Sequence, residues 1–507
     1  MMGHADTIVV GGGTAGAITA ARLAEANVGE VLLLEAGPDY GSRTSGRWPS
    51  DLLDAAGIPT SHDWAYTAHT GASKRAVLAE RARVIGGCSS HNGCTALWGG
   101  PSDWDAIAAR AGPGWDAAAM APLRDRVLRR FGVHVPGDES VTPYHAAWIE
   151  SAQKAGHARI ANLNTSESTG MGVNPVNIRK GVRWNTAFGW LDPVRHLPHL
   201  TVAGDTFVDR LVVGGDRVVA VEAICDGARQ RIECHRVVLT AGAYATPAIL
   251  QRSGIGDTEL LGRLGIPVVA DIPGVGANLR DHASVLLRFA GTKRLVDAQT
   301  EFAAVSPFIP EEQTVLRARS SHAAADVPFD IHLYPFGGAE ATSANGFGFV
   351  VGVACMTPRS HGSVRITSSG PAVSPEIDLG LLIDPDGHDR AVLAEGVDIA
   401  EAIVASEPLR HLIGERITEA DIGRWILRDG ADAPLTGHYY HPVGTCRIGP
   451  GDRMDVCDGD GRVHGLANAY VADASLFPVI PKANTCLPVA MAAEAIADRL
   501  IGRGVRS

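Results

Sequence analysis

DTIVVGGGTAGAITAARLAEANVGEVLLLEAG, residues Asp6–Gly37, decides the fold. Ile8, Val9 and Val10 read as a short apolar strand, and Val31–Leu34 as a second. Between them Gly11, Gly13 and Gly16 have G-x-G-x-x-G spacing, and Ala17–Ala26 predicts a helix that packs through Ile18, Ala21 and Leu23. Each part has a physical task. Gly11 allows a tight turn, Gly13 lets backbone approach a pyrophosphate, and Gly16 lets helix and strand pack closely. The helix N-terminus offers free N–H groups and partial positive charge to phosphates. Glu35, about twenty residues on, suits the ribose hydroxyls. Together these predict a dinucleotide site on a Rossmann sheet. The motif alone does not choose between a flavin and a nicotinamide.

The bulk numbers narrow the class. A chain of 507 residues predicts two or three domains at about 150 residues each. Its 45% apolar content fills a large core, while 20% charged residues and a net charge of −11 argue against a nucleic-acid partner. Eight cysteines form no disulfide framework and show no zinc spacing, so no metal ligand is expected and the thiols read as reduced. The first strand follows the start closely, and no apolar run reaches about 18 residues. The expectation is a cytoplasmic protein with no membrane partner; oligomeric state is left open.

A second cluster, RARVIGGCSSHNGCTALWGG at Arg81–Gly100, crowds Gly86, Gly87, Ser89, Ser90 and Gly93, which suits backbone lying against a planar ligand. Further motifs follow in order: HDWAYT at His62–Thr67, LTAGAYATPAILQRSGIGD at Leu239–Asp257, PGVGANLRDH at Pro273–His282, PRSHGSVRI at Pro358–Ile366, YHPVGTC at Tyr440–Cys446, and a last stretch at Val471–Leu500. This series resembles the glucose–methanol–choline (GMC) oxidoreductases over essentially the whole chain, with GGCSSHN most similar to the choline-oxidase branch.

The resemblance implies FAD as cofactor. It places FAD contacts at the first motif (Gly11, Gly13, Thr14, Ala15, Gly16, Glu35), at Trp64, and at Val84, Gly87, Cys88, Ser89, Ser90, His91, Asn92 and Gly93. Val208, Tyr440, Asp473, Ala474 and Thr485 complete the set, with helix or turn capping as the alternative for Asp473. In the choline-oxidase branch the histidine matching His91 is linked covalently to the flavin; a non-covalent contact is the favoured expectation here. The implied reaction takes a hydride from an alcohol carbon to flavin N5. His441, in the base position before Pro-Val-Gly-Thr, is expected to accept the hydroxyl proton, and Asn484 to hold the alcohol oxygen. Thr485 stands where the family usually has Pro. His438 reads as a hydrogen-bonded structural histidine.

The expected fold is α/β (α+β overall), with a discontinuous Rossmann-type FAD domain at 1–155, 200–285 and 435–507. A substrate domain at 156–199 and 286–434 is expected to be an antiparallel sheet with helices. FDIHLYPF (Phe329–Phe336) and GFGFVVGVACM (346–356) alternate with period two, as half-buried strands do, and Asp389–Ser406 reads as a helix. ARSSHAAAD at Ala318–Asp326 reads as a loop. The final helix, from about Leu487 to Leu500, carries Pro488 in its first turn and is expected to point its N-terminus at the flavin pyrimidine edge.

For the substrate, TEFAAVSPFIP at 300–310 carries Glu301 and Phe302 but lacks the Trp-Trp-Glu run of choline oxidases, which disfavours a quaternary ammonium head. The chain length resembles that of the small bacterial pyridoxine 4-oxidases. That implies a hydroxymethyl group on a pyridine ring oxidised to an aldehyde, with O2 or another acceptor taking the electrons. Tyr439, His332 and Tyr334 are candidates to flank the ring. Aryl, furanyl or aliphatic alcohols are the alternatives. From another class, a hydroxynitrile lyase of the same fold keeps FAD without its redox chemistry.

Overall fold

The computed structural model describes residues 3–71, 74–306, 312–339, 347–418, 422–433 and 436–504. Two cores organise it. The first surrounds a sheet in the order Leu200–Ala203, Val31–Leu34, His4–Val10, Ala228–Leu239, Arg217–Cys225, Thr206–Gly214. The nucleotide half is parallel: Val10 lies beside both Leu34 and Leu239, and the short strand Ala469–Val471 adds to Ala228–Leu239 in the same sense. Its strands are apolar because helices cover both faces. The helix Thr14–Glu25 packs between this sheet and the final helix Cys486–Arg503.

That packing depends on Gly16. A Cβ there would lie 1.8 Å from the Gly11 carbonyl oxygen and 2.7 Å from Thr240 Oγ1. Thr240 Oγ1 in turn donates to the Val10 and Gly11 carbonyls, tying the glycine turn to the neighbouring strand.

The second sheet is antiparallel, in the order Ile413–Arg416, Ala283–Gly291, Phe347–Cys355, Ile331–Ala339, Thr314–Ala318, Gly170–Val173. Its alternation sorts side chains between two faces. Ile331, Leu333, Val351 and Val353 join the core under the helix His388–Val404. His332, Tyr334 and Phe336 point the other way, over Ala354, Gly352 and Val350 of the adjoining strand. Gly352 is required there, since a Cβ would meet the Tyr334 ring at 2.2 Å.

The chain crosses between units more often than the expected boundaries allow. The helix Pro143–Lys154, expected in the first unit, buries Tyr144, Ala147 and Trp148 in the second core. Strands Thr67–Thr70 and Arg75–Leu78 share a sheet with Ser363–Arg365 and Glu376–Asp378. Conversely Ala187, Phe188, Trp190 and Leu191, expected in the substrate unit, pack into the first core. In each case the segment follows the apolar face it buries rather than its position along the chain. The loop expected at 318–326 is a loop from Arg319 onward, and all eight cysteines are free. Among the described residues no helix is long and apolar enough to cross a membrane.

Gly16→Ala is expected to cost upward of about 3 kcal/mol through overpacking against backbone that has no room to move. Gly502, in the final helix with nothing within 4 Å of its Cβ position, is the control. Gly502→Ala should hold or raise Tm, and thermal melts of both variants check the contrast.

Candidate active site

The two glycine clusters form one cradle. Gly86 N–H donates to the Gly12 carbonyl, and Ser89 N–H donates to Thr14 Oγ1. A Cβ on Gly87 would come within 2.6 Å of Gly13 Cα, so Gly87 must be glycine for the loops to meet. A cavity opens beside them, lined by Gly11, Gly13, Glu35, Trp64, Gly87 and Val208 among the expected cofactor residues. Thr206, Phe207, Thr240, Ala241 and Arg252 also line it and were not anticipated. The cradle is bare of side chains where Gly11, Gly13 and Gly87 face it, and it carries an acid at one edge. These residues fit a dinucleotide with its phosphates at the first helix N-terminus.

Glu35 is buried. Its Oε2 accepts from Gly12 N–H at 2.7 Å and its Oε1 from Gly37 N–H at 2.8 Å. Burial raises its pKa to about 7 despite those two amides and nearby Arg83. The remaining expected cofactor residues divide by location. Ala15 and Gly16 lie within the first helix, and Val84 is core, buried behind the loop. Cys88, Ser89 and Ser90 form a 3-10 turn with Gly87 on the cradle, and Asn92 and Gly93 follow. Asn92 Oδ1 accepts from Cys94 N–H. His91 is buried with Nε2 2.8 Å from the Ser61 carbonyl, so Nε2–H is the donor and that nitrogen is committed.

Asp473 is engaged by protein donors on both carboxylate oxygens. Its Oδ2 accepts from Gly242 N–H and Thr246 Oγ1, and its Oδ1 accepts from Ser475 N–H and Oγ. All its strong acceptor positions are spent on protein, so the side chain is a capping tie. Neighbouring Ala474 accepts from Gly444 N–H, and Thr485 is the N-cap of the final helix without closing a side-chain cap bond. Tyr440 has φ +63°, its carbonyl accepts from Arg81, and its ring is 46% exposed.

The histidines of GHYYHPVGTC have separate environments. His438 is held at both ring nitrogens, Nδ1 by Asp281 Oδ2 at 3.0 Å and Nε2 by the Leu78 carbonyl at 2.9 Å. His441 N–H donates to Asp281 Oδ1 at 2.9 Å, and its Nδ1 lies 3.0 Å from His282 Nδ1. Its Nε2 faces Asn484 Nδ2 at 3.4 Å. The amide donates there, so Nε2 carries the lone pair, and Nδ1–H of His441 donates to His282. Burial first, then His282, holds the His441 pKa well below the usual histidine range. At neutral pH it is an uncharged base aimed toward Asn484.

Asp281 and His282 were missed as site residues. The signal was the Asp-His pair closing PGVGANLRDH, an acid beside an imidazole at the end of a glycine-rich motif. Asp281 Oδ1 also accepts from His282 N–H. Burial alone would raise the Asp281 pKa, but the rings of His438 and His441 outweigh it and hold the carboxylate low.

Tyr439 stacks on Tyr334 with centroids 4.1 Å apart and lies 4.4 Å from the His441 ring. Its hydroxyl interacts with Asn484. Asn484 Oδ1 is buried and has no hydrogen-bond partner. His332 is fully buried on the same sheet face as Tyr334. Thus Tyr439, Tyr334, His441 and Asn484 are brought together, with His332 beside them. Glu301 and Phe302 instead lie on the helix Lys293–Val305, where Glu301 is exposed, and residues 307–310 of that run lie outside the described residues. Glu312 is an acid that acts on both Tyr334 and Tyr439. The metal-capable group His4, Asp6 and His235 shares no residue with this site.

The family profile described as GMC oxidoreductase matches in two parts, N-terminal over residues 5–284 and C-terminal over 358–493. The chain belongs to the GMC oxidoreductase family. It is 32% identical to choline oxidase of Arthrobacter globiformis over 97% of this chain and 93% of that one. It is 31% identical to oxygen-dependent choline dehydrogenase of Chromohalobacter salexigens over 98% of this chain and 95% of that one. The crystal structure of pyridoxine 4-oxidase from Mesorbium loti superposes with a TM-score of 0.85 at 27% identity, covering 97% and 98% of the two chains. This GMC oxidoreductase is an FAD-dependent enzyme of alcohol oxidation, as the sequence implied.

Glu35 makes FAD binding pH-dependent. An ionised carboxylate accepts ribose hydroxyls better than a protonated one, so bound FAD should draw the Glu35 pKa down from about 7. Binding then releases a proton, and affinity should rise about tenfold from pH 6 to pH 8. Titration of the apoprotein with FAD checks this. Glu35→Gln should flatten the profile, and a flat wild-type profile would remove Glu35 from the ribose site.

Proposed function

We propose that this enzyme oxidises a primary alcohol on an aromatic or heteroaromatic ring to its aldehyde, with pyridoxine the first substrate to test. One observation carries the reading. The unprotonated His441 Nε2 and the unpartnered Asn484 Oδ1 lie together beside the stacked Tyr334–Tyr439 pair. The His441 lone pair suits the hydroxyl proton, the neighbouring Asn484 amide suits the alcohol oxygen through its N–H, and the tyrosines provide a flat surface for a ring. The likeness to pyridoxine 4-oxidase supports the same choice.

FAD, when bound, supplies the hydride acceptor. The protein's residues supply the rest. Asn484 orients the alcohol oxygen. His441 Nε2 takes the hydroxyl proton, while His441 Nδ1–H remains donated to His282 Nδ1, which fixes the tautomer and the ring plane. Asp281 lies behind both histidines and favours the imidazolium that forms. His282, whose own pKa burial lowers to about 4, stays neutral and competes for no charge. Gly11, Gly13, Gly87 and Glu35 hold the cofactor, and we take His91, committed to Ser61, as a non-covalent neighbour.

A quaternary ammonium alcohol is the second reading. The relatives named for choline support it, as does the Glu312 carboxylate acting on Tyr334 and Tyr439.

Two outcomes are expected. Steady-state oxidation of pyridoxine, benzyl alcohol, hydroxymethylfurfural, choline and glucose should rank pyridoxine first in kcat/KM and choline below the ring alcohols. Choline first would replace the proposed substrate with the second reading. His441→Ala should lose about 10²–10⁴ in turnover with FAD retained. His438→Ala should act mainly on stability, by about 3–5 kcal/mol, because it strips the buried Asp281 of its partner. A folded, FAD-bound His438→Ala enzyme slower than His441→Ala would reverse the two assignments.

A further inference from the structure

Beyond the reacting hydroxyl, the same sheet face carries a buried cation that the chemistry above does not use. Arg317 pairs across the strands with His332, so the two side chains share the face that bears Tyr334. Arg317 is 1% exposed. Its Nη1 donates to the Leu163 and Ser166 carbonyls, its Nε is buried with no partner, and among the described residues it forms no salt bridge with a carboxylate. Asp103 and Glu167 act on it from a distance, but Asp103 is spent on Lys482 and Glu167 on Ser102. A guanidinium taken out of water without a carboxylate is costly unless something else pairs with it.

The second observation is independent. His332 is fully buried, and both of its ring nitrogens lack a hydrogen-bond partner. Its ring stacks on Phe329, over which the guanidinium of Arg317 also lies, at 4.8 Å from the centroid. The largest charged and titratable influences on His332 are Arg317, His282, His441 and Lys482. Orphaned donors thus run from Arg317 through His332 to the base that faces the alcohol.

We propose that Arg317 and His332 form an oxyanion-recognition point beside His441 and Asn484, so that the preferred substrate is an aromatic alcohol bearing a second, oxyanionic ring substituent, a carboxylate or an ionised phenol. This rests on the alcohol-oxidising reading of His441 and Asn484. His332 donates one N–H to the substituent and Arg317 supplies charge and its free Nε–H. Lys482, already neutralised by Asp103, adds no second net charge. The arrangement selects singly charged groups and orients the ring so that its hydroxymethyl arm reaches His441.

The FAD-loaded enzyme tests this in two ways. The first is inhibition of benzyl alcohol oxidation by benzoate and by its neutral isostere benzamide. Benzoate should bind at least about tenfold more tightly, the scale of one charge-assisted hydrogen bond; benzamide binding as well as benzoate overturns the proposal. The second is kcat/KM for the three hydroxymethylbenzoates and three hydroxybenzyl alcohols, each as a ratio to benzyl alcohol. At least one ratio should exceed about ten, and both His332→Phe and Arg317→Met should collapse it. A purely structural role would lower all substrates together and leave the ratio standing, which also overturns the proposal. If no alcohol is oxidised, the alcohol reading itself fails. The benzoate–benzamide comparison is then read from flavin absorbance, so the two failures remain distinct.

Discussion

The buried carboxylate of Asp281 fixes the geometry on which the site depends. One oxygen accepts the backbone amides of His282 and His441, and the other accepts the ring of His438. It ties the segment entering the second sheet to one that lies about 160 residues further along the chain. Removing a partner from such a buried pair typically costs about 3–5 kcal/mol, a large share of a domain's net stability. The same contacts leave His441 with one nitrogen donated backward to His282 and one presented forward to Asn484. The position of the base therefore follows from a single well-satisfied carboxylate, while His282 sets its tautomer and burial keeps it uncharged.

Around that point the two units contribute complementary surfaces. The first unit offers backbone: Gly11 and Gly87 sit where side chains would collide, Gly13 faces the same cavity, and Glu35 closes the edge. The second unit offers one face of an antiparallel sheet. Its other face is committed to the helix His388–Val404 through Val351, Val353 and Ile331, which frees Tyr334 and His332 to point toward His441. Gly352 makes room for the Tyr334 ring, and Tyr439 completes the stack from the loop that carries the base. Binding of cofactor and of substrate thus draws on different physics, backbone access in one unit and side-chain chemistry in the other.

What the sequence made legible was local. The strand, glycines, helix, strand and acid of Asp6–Gly37 fall within one short stretch, so their spacing alone carries the dinucleotide site. The period-two runs around His332 and Val351 located the second sheet for the same reason. The roles expected of His441 and Asn484 came through family likeness, because no local pattern marks a base. Asp281, His282 and Arg317 escaped notice because their meaning lies in partners far away along the chain. The bonds that Asp473 accepts from Gly242 and Thr246, distant in sequence, were likewise not legible in its motif. The acid of TEFAAVSPFIP, Glu301, lies exposed on the helix Lys293–Val305, while Glu312 further along the chain acts on the tyrosines.

The central claim is that the alcohol carbon gives up a hydride while His441 takes the hydroxyl proton. The most direct measurement mixes FAD-loaded enzyme with a primary alcohol and its α,α-dideuterated form under anaerobic conditions and follows the flavin absorbance. The account predicts bleaching, one aldehyde per flavin, and slower bleaching with the deuterated alcohol. Product formation with the flavin still oxidised, or no bleaching by any primary alcohol, would contradict it.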